Sequence, residues 1–338
     1  MARRKLLPAW LSTILFLVPL AATQNYRITD LGTFPGGTVS QGQAVNTSGQ
    51  VAGYARFANF NAHGILWTEG TGLHDLGAIP PASNFSVGQA INSFADVAGY
   101  SDYNQLQAEH AILWTHGILN DLGTLPGGTI SEATGVNDLD EVTGFSNGTN
   151  IEPHAFLWTK HAGMQDLGTL RGGYYSQGIA INVAGQVAGY SKDGDGQWHG
   201  FLWSKSAGMQ ALPNLPGASS ASANGIDDVG EVVGGSGSYA VLWHNDKNHT
   251  AENLGVLSGA GWSSAFAIND VGQVVGWSGF TAFLWTHEKG MQDLNALIPS
   301  NSGWQLTAAY GINVRGQITG QGNINGEQHG FLLTPVGQ

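Results

Sequence analysis

The sequence predicts an all-β fold, a seven-bladed β-propeller of four-stranded antiparallel blades. Three observations predict it. Four short strings recur in fixed order, seven times each. One strand of every copy carries only Gly or Ala at the same two positions. The two chain ends are offset, so that the first strand has no unit before it and the last unit lacks its fourth strand. Self-similarity at a fixed period decides architecture before any single residue is weighed.

The clearest string ends in an aliphatic residue plus Asn or Asp, at Asn46, Asn92, Asn137, Asn182, Asp227, Asn269 and Asn313, in steps of 46, 45, 45, 45, 42 and 44 residues. A period near 45 with several strand-length runs matches a propeller blade; an open β-solenoid is the alternative. The first strand of each unit ends at this residue. A tight turn follows, as in Asn182-Val183-Ala184-Gly185, and the second strand returns as Gln186-Val187-Ala188-Gly189-Tyr190. The turn Gly suits a positive φ and the Asn side chain suits the turn backbone; Ala95 and Asp140 replace that Gly in two copies. The third strand is His154-Ala155-Phe156-Leu157-Trp158 or a variant, and the fourth runs into Asp166-Leu167-Gly168 or a variant.

Two residues before the Asn/Asp stand Ala44, Ala90, Gly135, Ala180, Gly225, Ala267 and Gly311, and four before it Gly42, Gly88, Ala133, Gly178, Ala223, Ala265 and Ala309. Strand alternation places residues two apart on one face. A single bare face is therefore expected on this strand, which belongs innermost, where wedge-shaped blades crowd. The last unit stops at Phe331-Leu332-Leu333-Thr334, and Tyr26 to Leu31 is an orphan fourth strand. Pairing the two closes the ring and removes two exposed edges.

Residues 24–338 thus form one propeller domain. Residues 1–23 read as a secretory signal: Arg3, Arg4 and Lys5, an apolar run from Leu6 to Leu20, then Ala21, Ala22 and Thr23. The run is short for a membrane span, so the mature chain is expected to be secreted and without a span, with periplasmic retention or N-terminal anchoring as alternatives. Loss of the three basic residues takes the formal charge from −12 to −15. Such a surface repels phosphate backbones and argues against nucleic acid as partner. The chain has no Cys, so disulfides and thiolate chemistry are excluded. A monomer is expected.

These strings resemble the extracellular repeat family named for His-Ala-Phe, of which His154-Ala155-Phe156-Leu157-Trp158 is a full copy. The resemblance spans essentially the whole mature chain and implies secretion and a repeated β architecture. It carries over no reaction, ligand or functional residue. The chain departs from the pattern at Tyr239 and Thr281, which stand in place of His, and at Leu333, in place of Trp.

Multiplicity also demotes the residues that first draw the eye. His63, His110, His154, His199 and His329 are one per blade, too few for a zinc site, and are assigned to bonds within their own blades. Trp67, Trp114, Trp158, Trp203, Trp243 and Trp285 are assigned to core packing. The repeated aspartates cap turns. Glu132 is a lone carboxylate on the inner strand, and Asp193-Gly194-Asp195-Gly196 is a fragment of a calcium loop without its distal Glu. No nucleophile–base pair, catalytic residue, metal site or cofactor is assigned. The link from second to third strand varies most, from about Ser101–Glu109 in one blade to Gly237–Ser238 in another, and function concentrates on such loops. Aromatics outside the template are the candidate ligand-binding set: Phe57, Phe60, Tyr103, Tyr174, Tyr175, Trp198, Trp262, Trp277 and Trp304. The function expected is a secreted, non-enzymatic binding or scaffold module for glycan or protein on the variable-loop face. A polysaccharide lyase or glycoside hydrolase at the channel mouth and a structural envelope or matrix protein are the alternatives.

Overall fold

A computed structural model describes residues 25–80, 84–103, 108–149 and 152–337; the signal-like residues 1–23 lie outside the described residues. The chain forms seven four-stranded antiparallel sheets. Blade 1 runs outward through Ser40–Val45, Val51–Arg56, Ala62–Thr68 and Gly72–Asp75. Blades 2 to 6 repeat this order from inner strands Ser86–Ile91, Ser131–Val136, Ser176–Ile181, Ala221–Ile226 and Ser263–Ile268. Blade 7 is Gln305–Ile312, Ile318–Ile324 and Glu327–Pro335, completed by Tyr26–Asp30. Tyr26 lies opposite Pro335 and Asp30 opposite Phe331. The two termini share a blade, so the ring closes and the open solenoid is excluded. Among the described residues no helix is long and apolar enough to cross a membrane.

The bare face expected on the inner strand is not what the strand presents. In every blade the register slips by one residue between the two small positions, as between Gly42 and Ala44 or Gly178 and Ala180. This β-bulge breaks the alternation of faces. A side chain at Gly178 would strike Thr143 and the Gly144 carbonyl of the preceding blade, whereas one at Gly135 would strike Ala180 and the Ile179 carbonyl of the following blade. Each inner strand is therefore bare on both sides, once toward each neighbour. The bulged residues, Gln43, Gln89, Thr134, Ile179, Asn224, Phe266 and Tyr310, turn into the central channel and line a space of 510 Å³ without a charged side chain.

The recurrent Asn serves two elements at once. The Asn46 Oδ1 accepts from the Ser48 and Gln50 N–H groups, closing the turn. Its Nδ2 donates to the Asn92 carbonyl of the next blade at 3.2 Å. The same inter-blade bond runs from Asn92 to Asn137, Asn137 to Asn182, Asn182 to Asp227, Asn269 to Asn313, and from Asn313 back to Asn46 at 2.8 Å. An amide has both the acceptor and the donor this requires, whereas an ionised carboxylate has acceptors only.

Blades also grip one another through serine. The Ser131 Oγ accepts from Ala111 N–H and donates to the Gly123 carbonyl, both in blade 2, and Ser86, Ser176 and Ser263 do the same around the ring. Between the sheets lie apolar clusters, most of them holding a repeated Trp: Trp158 packs with Val136 and Val142, Trp243 with Val232 and Leu212, and Trp285 with Ile268 and Val274.

Candidate functional site

The repeated His and Asp are joined within blades. His63 Nδ1 lies 2.9 Å from Asp75, His110 3.0 Å from Asp121, His154 2.9 Å from Asp166, and His329 2.9 Å from Asp30, the last pair joining the two chain ends. Each Asp also accepts from the N–H two residues on, as Asp166 does from Gly168. The Asp166 bond raises the His154 imidazole above its ordinary value. Burial works to raise the Asp166 carboxyl, but the bonds from His154 and Gly168 outweigh it and hold the carboxyl low. Blade 4 has Ala211 in place of Asp, and His199 turns instead to Asp193 at 2.9 Å. The Asp193 carboxylate also accepts from the Asp195 and Gln197 N–H groups, so the calcium-like string is a turn closed on itself.

The links between second and third strands gather on one end of the ring, and the Asn turns occupy the other. Near the link end, just inside the start of its pairing, each inner strand carries a residue paired across to the second strand. The pairs are Gln41 with Tyr54, Val87 with Tyr100, Glu132 with Phe145, Gln177 with Tyr190, Ser222 with Gly235, Ser264 with Trp277, and Ala308 with Gln321. Blade 5 alone puts nothing larger than a hydroxymethyl group at both positions. Its link is also only Gly237–Ser238, between strands Val232–Ser236 and Tyr239–Trp243. The link end is therefore cut away over blade 5.

A groove of 410 Å³ occupies that cut. Tyr190 and Trp198 of blade 4 wall one side, Trp262 and Trp277 of blade 6 the other. Gly235 and the serines Ser220, Ser222, Ser238 and Ser264 line it between them, and no charged side chain does. Both walls are braced. Trp262 meets Trp277 edge-on with ring centres 4.2 Å apart, and Phe280 packs against both. Tyr190 and Tyr175 each meet Trp198 edge-on, and Gln177 links the two phenols by hydrogen bonds. Lys192 lies over the Trp198 ring at 4.7 Å and donates to the Tyr174 hydroxyl at 2.8 Å.

Of the nine aromatics outside the template, Trp198, Trp262 and Trp277 meet in this groove, with Tyr174 and Tyr175 behind its blade 4 wall. The other four do not join them. Phe57 stacks on Phe34 in blade 1 with centres 4.2 Å apart, and Phe60 stands 82 % exposed at the tip of the same link. Tyr103 stacks on His110 in blade 2 at 3.8 Å, beside a link that lies partly outside the described residues. Trp304 packs edge-on against Phe331 in the blade 7 core. The groove residues that the sequence reading omits are Tyr190, hidden as a template residue, and Gly235, Ser222 and Ser264. Aligning the seven copies exposes the signal, since Gly235 stands where others carry Tyr, Phe, Trp or Gln.

Two other places hold titratable groups. At the channel mouth Glu132 has a partner after all: its carboxyl hydrogen-bonds that of Glu109 from the neighbouring blade. Burial, then the Glu109 charge and that bond, push Glu132 up to about 8. Carboxyls joined by such a bond share a proton. On the turn end a cavity of 930 Å³ spans blades 5 to 7. There His244 is bound by Glu231 at 3.1 Å through Nδ1 and by Glu252 at 3.0 Å through Nε2. The Glu231 bond above all raises the imidazole, and both ring nitrogens are occupied.

No family model matches the chain, and no curated protein does. Solved structures do. A streptogramin B lyase superposes with a TM-score of 0.57 at 9 % identity, over 93 % of this chain and 99 % of that one. The extracellular domain of a one-component system from B. thetaiotaomicron gives 0.54 at 10 % identity over 92 % of this chain, which spans 40 % of that domain's length. The β-propeller domain of the Trilobed protease from Pyrococcus furiosus gives 0.51 at 8 % identity, over 89 % and 98 %. At such identities the likeness is one of fold, and function rests on the site itself.

Proposed function

We propose that this chain is a secreted propeller of the His-Ala-Phe repeat kind, and that it binds a neutral saccharide in the groove over blade 5. One observation carries the reading: two aromatic walls face each other across a line of hydroxyls, with no charge between them. Sugars offer apolar C–H faces to indole rings and hydroxyls to serine. A pocket that is apolar on its sides with a few placed polar groups is the usual form of a small-ligand site. The rings are held edge-on by their neighbours, so little side-chain freedom is lost on binding. The uncharged lining favours neutral over acidic sugars.

The test fills the groove with the residue other blades carry. Gly235 has no positive φ, and a Cβ there would press on the movable Ser264 Oγ at 3.3 Å, with Ser222 Oγ in ordinary contact at 3.8 Å. Gly235→Tyr therefore restores the blade template and blocks the space. Neutral oligosaccharides that bind the wild-type chain by calorimetry are expected to lose measurable affinity for Gly235→Tyr. Trp198→Ala and Trp262→Ala should each weaken them about tenfold or more, while Phe60→Ala on the far rim leaves them unchanged. Undiminished binding by a folded Gly235→Tyr protein would show that the groove is not the site.

A further inference from the structure

The inter-blade ring of Asn side chains has one missing link, and it falls between blades 5 and 6. At that place the residue is Asp227. Its Oδ1 accepts from the Val229 and Glu231 N–H groups at 3.1 and 2.8 Å, as the Oδ1 of every Asn in the series does in its own turn. Its Oδ2 therefore takes the place of the amide nitrogen, facing the next blade. There the other six turns have an N–H and Asp227 has a bare oxygen. Asp227 is 4 % exposed, and its Oδ2 is buried with no hydrogen-bond partner among the described residues.

We infer that Asp227 is a proton-operated latch: when protonated, its Oδ2–H donates to the Asn269 carbonyl, closes the seventh inter-blade bond and tightens the seam between blades 5 and 6. The carbonyl is available, since among the described residues it takes only the turn N–H of Gly272. The charged neighbours have other engagements. Glu231 turns its carboxylate to His244 at 3.1 Å, and the next nitrogen of His244 goes to Glu252. Asp228 accepts from Val183 N–H of blade 4, and Asp270 of blade 6 accepts from Asp228 N–H. Blade 4 otherwise presents the uncharged Asn182, whose Nδ2 donates to the Asp227 carbonyl, and Gln186. Among the described residues no cation is placed to neutralise the Asp227 carboxylate, which leaves the proton as its remaining source of relief.

The electrostatics agree in sign. The Asp227 carboxyl is pushed up to about 6, first by burial, with the Glu231 and Asp270 charges adding to it against bonds from the Glu231 and Gly230 N–H groups. A folded value above the ordinary 3.8 means that the latch contributes in full below that ordinary value and is lost as pH rises through about 6.

The experiment compares thermal unfolding of the full chain at pH 5 and pH 8. Asp227→Asn supplies a permanent donor and should melt roughly 2 °C or more above wild type at pH 8, with the difference shrinking at pH 5. Asn137→Asp, whose turn also carries a Glu four residues on, should introduce a second latch: it melts below wild type at pH 8 and recovers toward it at pH 5. A carbon-13 carboxyl resonance that titrates near 6, absent in Asp227→Asn, would identify the proton directly. An Asp227→Asn difference that is zero, or equal at both pH values, overturns the latch. Stabilisation of wild type but not of Asp227→Asn by millimolar calcium chloride at pH 8 would overturn it in favour of a bound cation.

Discussion

At the scale of single residues, the chain separates what a blade needs from what a neighbouring blade needs. The His–Asp bond is internal to a blade, and in three blades its partners stand 11 or 12 residues apart, so the pairing is visible along the chain. The serine bonds are not. Ser86, Ser131, Ser176 and Ser263 read in sequence as ordinary polar residues opening a strand, yet they are buried and hold the preceding blade. Removing one leaves a buried donor and a half-buried acceptor unpaired. Ser131→Ala is expected to cost about 1–3 kcal/mol in denaturant unfolding, through the orphaned Ala111 N–H and Gly123 carbonyl. Ser204→Ala, at the half-buried end of its strand, removes a bond accepted from Ala207 N–H in an exposed turn and should cost less. Glu132 shows the same limit from the other side. It is alone on its own strand, and only the packing of blade 2 against blade 3 brings Glu109 to it.

At the scale of elements, the turn and the bulge show how far local pattern reaches. The turn after each inner strand demands a positive φ at its fourth position, and the chain supplies Gly in five copies. The two exceptions keep the conformation: Ala95 has φ 69° and Asp140 has φ 57°. A left-handed residue with a Cβ costs about 1–2 kcal/mol, against which Gly loses some chain entropy. Ala95→Gly is therefore expected to stabilise the protein by about 0.5–1 kcal/mol, measured as a raised denaturation midpoint at constant slope. The bulge ran against local pattern. Gly or Ala at two positions separated by one residue reads as one bare face, because alternation is the default for a strand. Seven blades each insert an extra residue there and turn the pair to opposite neighbours, since an inner strand is crowded from both sides.

At the scale of the whole molecule, closure is shared between the ends. Tyr26 is buried in the blade 7 core, Asp30 binds His329, and the strand between them pairs with Glu327–Pro335. A chain beginning at Leu31 loses this burial and opens an edge in blade 7. Its thermal midpoint should fall by at least about 5 °C, and an unchanged midpoint would contradict the shared blade. The groove belongs to this scale too. Its walls come from blades 4 and 6 and its floor from blade 5, so no single repeat contains it. What the sequence alone determined is whatever repeats: seven units, four strands each, a small-residue inner strand, the closing strand at the amino end, and the within-blade pairing of His and Asp. These follow from local pattern because each blade solves the same problem. Only the tertiary structure decided what one blade does to the next: which face each small residue serves, which serine reaches across, which three of nine aromatics meet, and where the ring of amides is broken. Those depend on blades being brought side by side, and a residue's partner on a neighbouring blade lies 20 positions away for Ser131, 45 for Asn137 and 267 for Asn313, beyond the reach of any local pattern.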